Sequence, residues 1–438
     1  MPGIPTPAAR SAPDQPLRSS RMGWTVLAGM IGNAVEWYDY GLYGYMAPVL
    51  ATLFFPSKNP LDSLMATFGV FAAGFLLRPL GAIAFGHLGD RLGRKKALVV
   101  SVALMTVPTG LMALLPTYAS VGATAAILLV LLRLLQGFSV GGEMTGSIIF
   151  LVEHAPPSRR GFIGSWAGFS TNAGCLVGAG VGALLVTVLG RQTVEEWAWR
   201  LPFLLGAVLG VAGLFLRLGV EETPLFESLA KSEGVARVPL LEALGHERRE
   251  MLTAFSLLWL SSVGFFTVFV YLPGYLANVA GLPLHAAMVI NWLAMIVVGV
   301  VIPPVGALSD RVGRKPPLLL AATGLLVLSY PLFWLLAQGD FTLCLLAQCS
   351  FAVLLATLAS PLYALLVELF KTRARYTALS LGFNLATALF GGSAPLLATY
   401  MVERTGNPRS PGLYLMLSAG ATLLVLCLIR DPYREPLR

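Results

Sequence analysis

Five ionisable residues stand in otherwise apolar stretches, all in the first half of the chain: Glu36, Asp39, Arg78, Arg133 and Glu143. Near the centre of a hydrocarbon layer each costs roughly 2.5–3.5 kcal/mol unless paired or hydrated, an expense that usually marks a ligand or ion path. Glu36 and Asp39 are three residues apart and share one face of a helix, with Asn33 and Tyr43 on the same stripe. Two carboxylates this close in a low dielectric resist double ionisation, so one is expected to hold a proton. A group that loads a proton on one side and releases it on the other is what proton coupling requires. Asp39 is the expected carrier, with Glu36 bound to the arginines; the alternative is a structural pair, both acids bridged to Arg78 and Arg133. Glu143, in Gly141-Gly142-Glu143, is a candidate second acid on the path. Arg133 opens an R-x-x-Q-G run with Gln136 and Gly137 one turn on. Its planar fork suits a carboxylate held by two bonds, or a clamp on the first helix. Arg78, before Pro79, reads equally well as a site residue and as a structural partner.

Such residues need a scaffold that keeps them out of water. Of 438 residues, 56% are hydrophobic and 12% charged, and the mean hydropathy is +0.75. Ordinary soluble domains carry about 25% charged residues. A soluble enzyme and a disordered chain are excluded. A span of the bilayer core takes about 20 apolar residues, and the runs here are continuous rather than alternating, which excludes a membrane β-barrel. The expected fold is an all-α membrane protein with twelve spans, at 22–53, 64–86, 97–115, 119–153, 162–189, 200–219, 251–280, 284–308, 316–337, 341–369, 377–402 and 412–430. Residues 1–21, with five prolines, read as a cytoplasmic tail, 220–250 as a charged cytoplasmic linker and 431–438 as a second tail.

The basic residues orient this arrangement. With both termini on one side, that side holds 23 Lys and Arg, counting Arg217 into the loop after the sixth span, and the other side holds 5. The positive-inside rule then makes both termini cytoplasmic. The net charge of +8 is spread over short loops, so nucleic acid is not an expected partner. Cys175, Cys344, Cys349 and Cys427 lie in apolar stretches without metal-ligand spacing, and no metal site is expected. There is no G-x-x-x-x-G-K-[ST] and no His/Cys/Asp metal spacing, which argues against an enzyme and against ATP hydrolysis by a P-loop.

The chain also repeats itself. Gly86 to Lys95 reads GHLGDRLGRK and Gly306 to Lys315 reads GALSDRVGRK, seven of ten identical at an offset of 220 residues. Glu153 precedes Arg160 by seven residues, and Glu368 precedes Arg375 by seven. Residues 22–219 and 251–430 therefore read as two copies of one six-helix unit. Parallel halves with a site between them near the midplane are a secondary-transporter design.

The G-x-L-x-D-R-x-G-R-K loop, present twice at half-chain spacing, resembles the signature of the major facilitator superfamily. GNAVEWYDYGLYG (Gly32–Gly44), FLLRPLGA (Phe75–Ala82), RLLQGFSVGGEMTG (Arg133–Gly146) and EETP (Glu221–Pro224) resemble its metabolite:H⁺ symporter branch. Within that branch the first half and RYTALSLGFN (Arg375–Asn384) are most similar to proline/betaine transporters, and citrate and α-ketoglutarate permeases share most of the motifs. No long C-terminal coiled coil like that of the osmosensing proline/betaine member is expected, so osmotic gating by such a tail is not implied. The resemblance implies a multi-pass protein of a bacterial inner membrane, working as a monomer among lipids. Its activity would be symport of a small solute with H⁺ as coupling ion and no other cofactor, and the Arg at position 133 would lie near the proton or substrate site. It further implies inner-gate charge networks made of Asp90, Arg91, Arg94, Glu153 and Arg160, mirrored by Asp310, Arg311, Arg314, Glu368 and Arg375.

The second half offers aromatics and amides in place of charge: Trp259, Phe265, Phe266, Tyr271 and Tyr275, then Asn291, Trp292, Tyr363, Asn384 and Phe390. Rings opposite carboxylates suit a quaternary ammonium through cation–π contact, although such stripes are mostly core or lipid-facing. A citrate-like acid would call for more than two buried arginines. The expected solute is a zwitterion such as proline or betaine, bound by Arg133, Arg78, Tyr43, Asn33, Gln136 and Asn384; the alternative is an organic acid such as α-ketoglutarate or citrate.

Overall fold

The computed structural model describes residues 19–58, 60–232 and 234–437. Most of the expected N-terminal tail thus lies outside the described residues, and helix α1 already begins at Ser19. The twelve spans are α1 (Ser19–Phe54), α2 (Pro60–Leu76 and Arg78–Leu92), α3 (Arg94–Ala113), α4 (Ala123–His154), α5 (Arg160–Leu189) and α6 (Arg200–Leu218), then α7 (Arg248–Asn278), α8 (Leu284–Val312), α9 (Lys315–Leu336), α10 (Phe341–Leu369), α11 (Arg375–Thr405) and α12 (Ser410–Leu428). Ten of them are long and apolar enough to cross a membrane on that ground alone. The other two are α1, which carries Glu36 and Asp39, and α2, which is interrupted at Leu77. Both depart from the apolar pattern at the residues singled out for chemistry.

The interruptions have local causes. Pro79 has no N–H to give the carbonyl one turn back, so α2 restarts at Arg78 and sets that residue at the joint. Wide turns occupy Phe266–Tyr271 in α7, ahead of Pro273, and Thr387–Gly391 in α11, ahead of Pro395. In α11 the Gly392 N–H reaches back five residues to the Thr387 carbonyl at 3.1 Å. The Phe390-Gly391-Gly392-Ser393 segment lies in and just after this turn.

Small residues let the helices close on one another. A methyl group at Gly137 would strike the Gly74 backbone, and one at Gly141 would strike the Arg78 carbonyl, so α2 and α4 touch backbone to backbone. Gly174 and Gly178 of α5 meet Ala34 and Tyr38 of α1 in the same way. The two pseudo-symmetric six-helix bundles meet where α5 lies against α8 and α10, and where α11 lies against α2 and α4. The end of the molecule carrying both D-R-x-G-R-K loops is called the basic end below. The connector between the bundles holds two short helices, Pro224–Lys231 and Pro239–His246. The second packs beneath α2 and α11 and ties Glu242 to Arg373 at 2.6 Å.

Candidate solute and proton site

The bundle interior brings some of the expected residues together and separates others. Arg133 of α4 forms a buried ion pair with Asp39 of α1. Its guanidinium lies 3.7 Å from the centroid of the Tyr43 ring, one turn along α1, and the Tyr43 hydroxyl donates to the Thr67 carbonyl at 3.1 Å. The ring fixes the plane of the fork. The Nε and Nη2 atoms of Arg133 and the second carboxylate oxygen of Asp39 are buried without a hydrogen-bond partner among the described residues. Glu36, 1% exposed, has no partner for either oxygen among the described residues. The expected sharing of roles is therefore reversed in the pairing: Arg133 holds Asp39, and Glu36 is the acid left alone. Three residues along a helix turn two side chains about 60° apart, enough for one arginine to reach only one of them.

Arg78 sits above the Phe75 ring at 5.0 Å and donates through Nε to the Asn384 Oδ1 of α11 at 3.3 Å. Asn384 in turn donates to the Gly141 carbonyl at 2.8 Å, so this amide bridges both halves. Two expected solute ligands give their amide N–H groups to other partners, while their carbonyl oxygens find none among the described residues. Gln136 donates to Thr109 of α3 at 2.8 Å, and Asn33 donates to the Met144 sulfur at 3.1 Å and the Ala167 carbonyl at 3.2 Å. Both amides lock helices within the first half. Glu143, expected as a second acid on the path, is held by Arg217 of α6, with Nη1 at 2.9 Å from Oε2, and also accepts from Ser101. Arg217 belongs to the helix and is 2% exposed, not a loop cation. Of the aromatic stripe, Phe265 and Phe266 cross to the first half, at 5.5 Å from Trp37 and 6.3 Å from Phe75. Trp292 is 47% exposed, and Tyr275 is built into the second half against Phe333.

The basic end is closed by two matching networks. Asp90 accepts from the backbone N–H groups of Tyr376 and Thr377, at 3.0 and 2.8 Å, at the start of α11. Asp310 accepts from those of Gly161 and Phe162, both at 2.8 Å, at the start of α5. Each repeat loop thus places its carboxylate on a helix N-terminus of the opposite half, where the helix dipole favours negative charge. Glu153 binds Arg375 across the interface at 2.7 Å and lies 3.4 Å from Arg94. Glu368 binds Arg314 at 3.0 Å and faces Arg160 across the interface at 3.8 Å. The glycines of the two loops, Gly93 and Gly313, have φ of 112° and 98°, a region that other residues reach only with strain. Arg91 and Arg311, expected in these networks, are exposed and join no ion pair among the described residues.

Sequence reasoning missed a second matched pair. Glu222 accepts from the N–H of Arg94 at 3.1 Å, and Asp431 from that of Lys315 at 3.0 Å. The segments after α6 and α12 thereby cap α3 and α9. The signal was available in the acid that follows each of these helices by a few residues.

Two pseudo-symmetric bundles with the repeated gate loops can be compared with known families. The Major Facilitator Superfamily profile matches residues 29–392 and 293–438. The chain belongs to the major facilitator superfamily. It is 36% identical over 427 residues to the glycine betaine/proline/ectoine/pipecolic acid transporter of Dickeya dadantii, covering 95% of this chain and 85% of that protein. It is likewise 36% identical over 422 residues to the proline/betaine transporter of Escherichia coli, covering 94% and 84%. A solved proton:xylose symporter superposes with a TM-score of 0.78 at 17% identity, over 94% of this chain and 96% of that one, which shows the shared fold. As a member of this superfamily the chain is a multi-pass membrane transporter and not an enzyme.

Proposed function

We propose that this transporter imports a small zwitterion, such as proline or betaine, together with a proton. The observation that carries the reading is the Arg133 guanidinium, buried against Asp39 with its Nε–Nη2 edge unpaired among the described residues. Polar groups left without partners in a dry interior are costly, and a carboxylate docking on that edge by two parallel bonds would relieve the cost. Glu36, with neither oxygen satisfied, is the acid that holds the proton in this state, and Asp39 stays ionised against Arg133. Arriving solute carboxylate competes with Asp39 for Arg133. The rings of Trp37, Phe75, Phe265 and Phe266, which meet between the two halves, would offer aromatic surface to the solute's cation. The substrates named for the relatives agree with a solute of this class.

In this reading the basic end faces the cytoplasm of a bacterium across its inner membrane, both termini are cytoplasmic, and a single copy is the working unit with H⁺ as its only coupling ion. The two gate networks hold the cytoplasmic side shut until loading shifts the equilibrium between the halves. Uptake into proteoliposomes tests it. Labelled proline and betaine are expected to accumulate when the outside is acidified, while α-ketoglutarate and citrate are not. Accumulation of either organic acid in their place would favour the alternative substrate class.

A further inference from the structure

Arg217 is the most heavily bonded buried cation of the first half. Its Nε donates to the Ala28 carbonyl at 3.0 Å, and its Nη1 donates to the Leu98 carbonyl at 2.7 Å and to Glu143 at 2.9 Å. Its Nη2 also meets Glu143 and the Gly29 carbonyl. One guanidinium from α6 thus ties together α1, α3 and α4. The pair presses directly on α1: a methyl group at Gly32 would overlap both the Glu143 carboxylate and the Arg217 guanidinium. Gly32 is one turn before Glu36, about 6 Å along the helix axis.

We infer that the Glu143–Arg217 pair is a positioning unit that sets how readily Glu36 takes a proton, and that Glu143 does not carry the proton itself. This rests on the proposed proton coupling. As a neutral pair it adds little net field at Glu36; with one partner gone, a whole charge remains about one turn away. The other groups facing Glu36 are Arg78 from α2, Asp39 and Tyr40 from α1, and Arg133 through Asp39 from α4. The α5 helix carries Cys175 as its one titratable side chain beyond Arg160 at the basic end, and α7 brings Phe265 to the neighbouring Trp37. The acid's surroundings otherwise stay constant when the pair is altered.

The sign follows from charge. In Glu143→Gln the amide still accepts from Arg217, but the guanidinium is no longer neutralised and opposes protonation of Glu36. The pH midpoint of uptake, above which the proton site empties, is expected to fall by about one unit. The double variant Glu143→Gln/Arg217→Gln removes both charges and is expected to return the midpoint to its wild-type position with acid-driven accumulation retained. Replacing a whole buried pair is often close to neutral for stability, so if the single variant does not fold the double variant still decides whether Glu143 is itself the proton carrier. An unmoved midpoint in folded E143Q, or a double variant that exchanges solute but no longer accumulates it, would overturn the inference. Wild-type protein that accumulates solute without proton movement would instead overturn the functional reading beneath it.

Discussion

Replacing Glu153 by glutamine is expected to unlock the basic end. Glu153 is the one carboxylate among the described residues that contacts both Arg94 and Arg375, each with a fully buried side chain, and it also accepts from Thr223 at 2.6 Å. Without its charge, Arg94 keeps Asp90 at 3.3 Å and two backbone carbonyls, and Arg375 keeps the Phe370 carbonyl. Removing one partner of a buried ion pair costs about 3–5 kcal/mol. Much of that loss falls on the closed arrangement, because the Glu153–Arg375 bond spans the two halves. A shift of the equilibrium towards the open state by a factor of about 100 is the expected result. A reporter is available at Ser380, which is fully buried and lies 2.6 Å from Thr145 of the other half. With the native cysteines replaced, Ser380→Cys should react with an impermeant maleimide added on the basic side far faster in E153Q than in its absence. Equal labelling rates would mean that the gate is held by other contacts.

The second large effect concerns Arg133. Arg133→Gln leaves Asp39 buried with no cation and removes the free edge proposed for the solute carboxylate. Initial uptake of labelled proline or betaine is expected to fall at least about 100-fold, corresponding to the loss of a buried charged contact of roughly 3 kcal/mol or more. Arg133→Lys should recover little of this. An ammonium can meet Asp39, but it cannot lie flat on the Tyr43 ring and offer two parallel donors to a carboxylate at the same time. Near-complete rescue by lysine would show that only the charge at this position matters.

Much of the scaffold was legible because continuous apolar runs have no other use. The two spans that are not recognisable by length and hydropathy alone, α1 with its two acids and α2 with its break at Leu77, could still be placed because their neighbours and the repeated loop leave room for nothing else. The gate was legible through its duplication. Within that motif, Asp90 and Arg94 are four apart and share a helix face, while Arg91 falls on another face, which is why one arginine joins the network and the other does not. Pairings between helices were less accessible. The stripe of Asn33, Glu36, Asp39 and Tyr43 was visible, but an amide or carboxylate on it can be satisfied by whichever neighbour packs closest. Asn33 found a sulfur and a carbonyl, Asp39 found Arg133, and Glu36 found nothing. Arg217 was lost to the charge count, since an arginine at the end of an apolar run looks the same whether it reaches water or turns inward.

The proposed proton coupling depends most on Glu36, and removal of this acid is the most direct test. Purified wild-type protein and Glu36→Gln would be placed in liposomes containing a pH-sensitive dye, and labelled solute and internal acidification followed together. The account predicts that wild-type uptake brings protons inward with the solute, and that E36Q still exchanges solute across the membrane but neither accumulates it against a gradient nor acidifies the interior. Acid-driven accumulation by E36Q at the wild-type level, with its accompanying proton flux, would contradict the account.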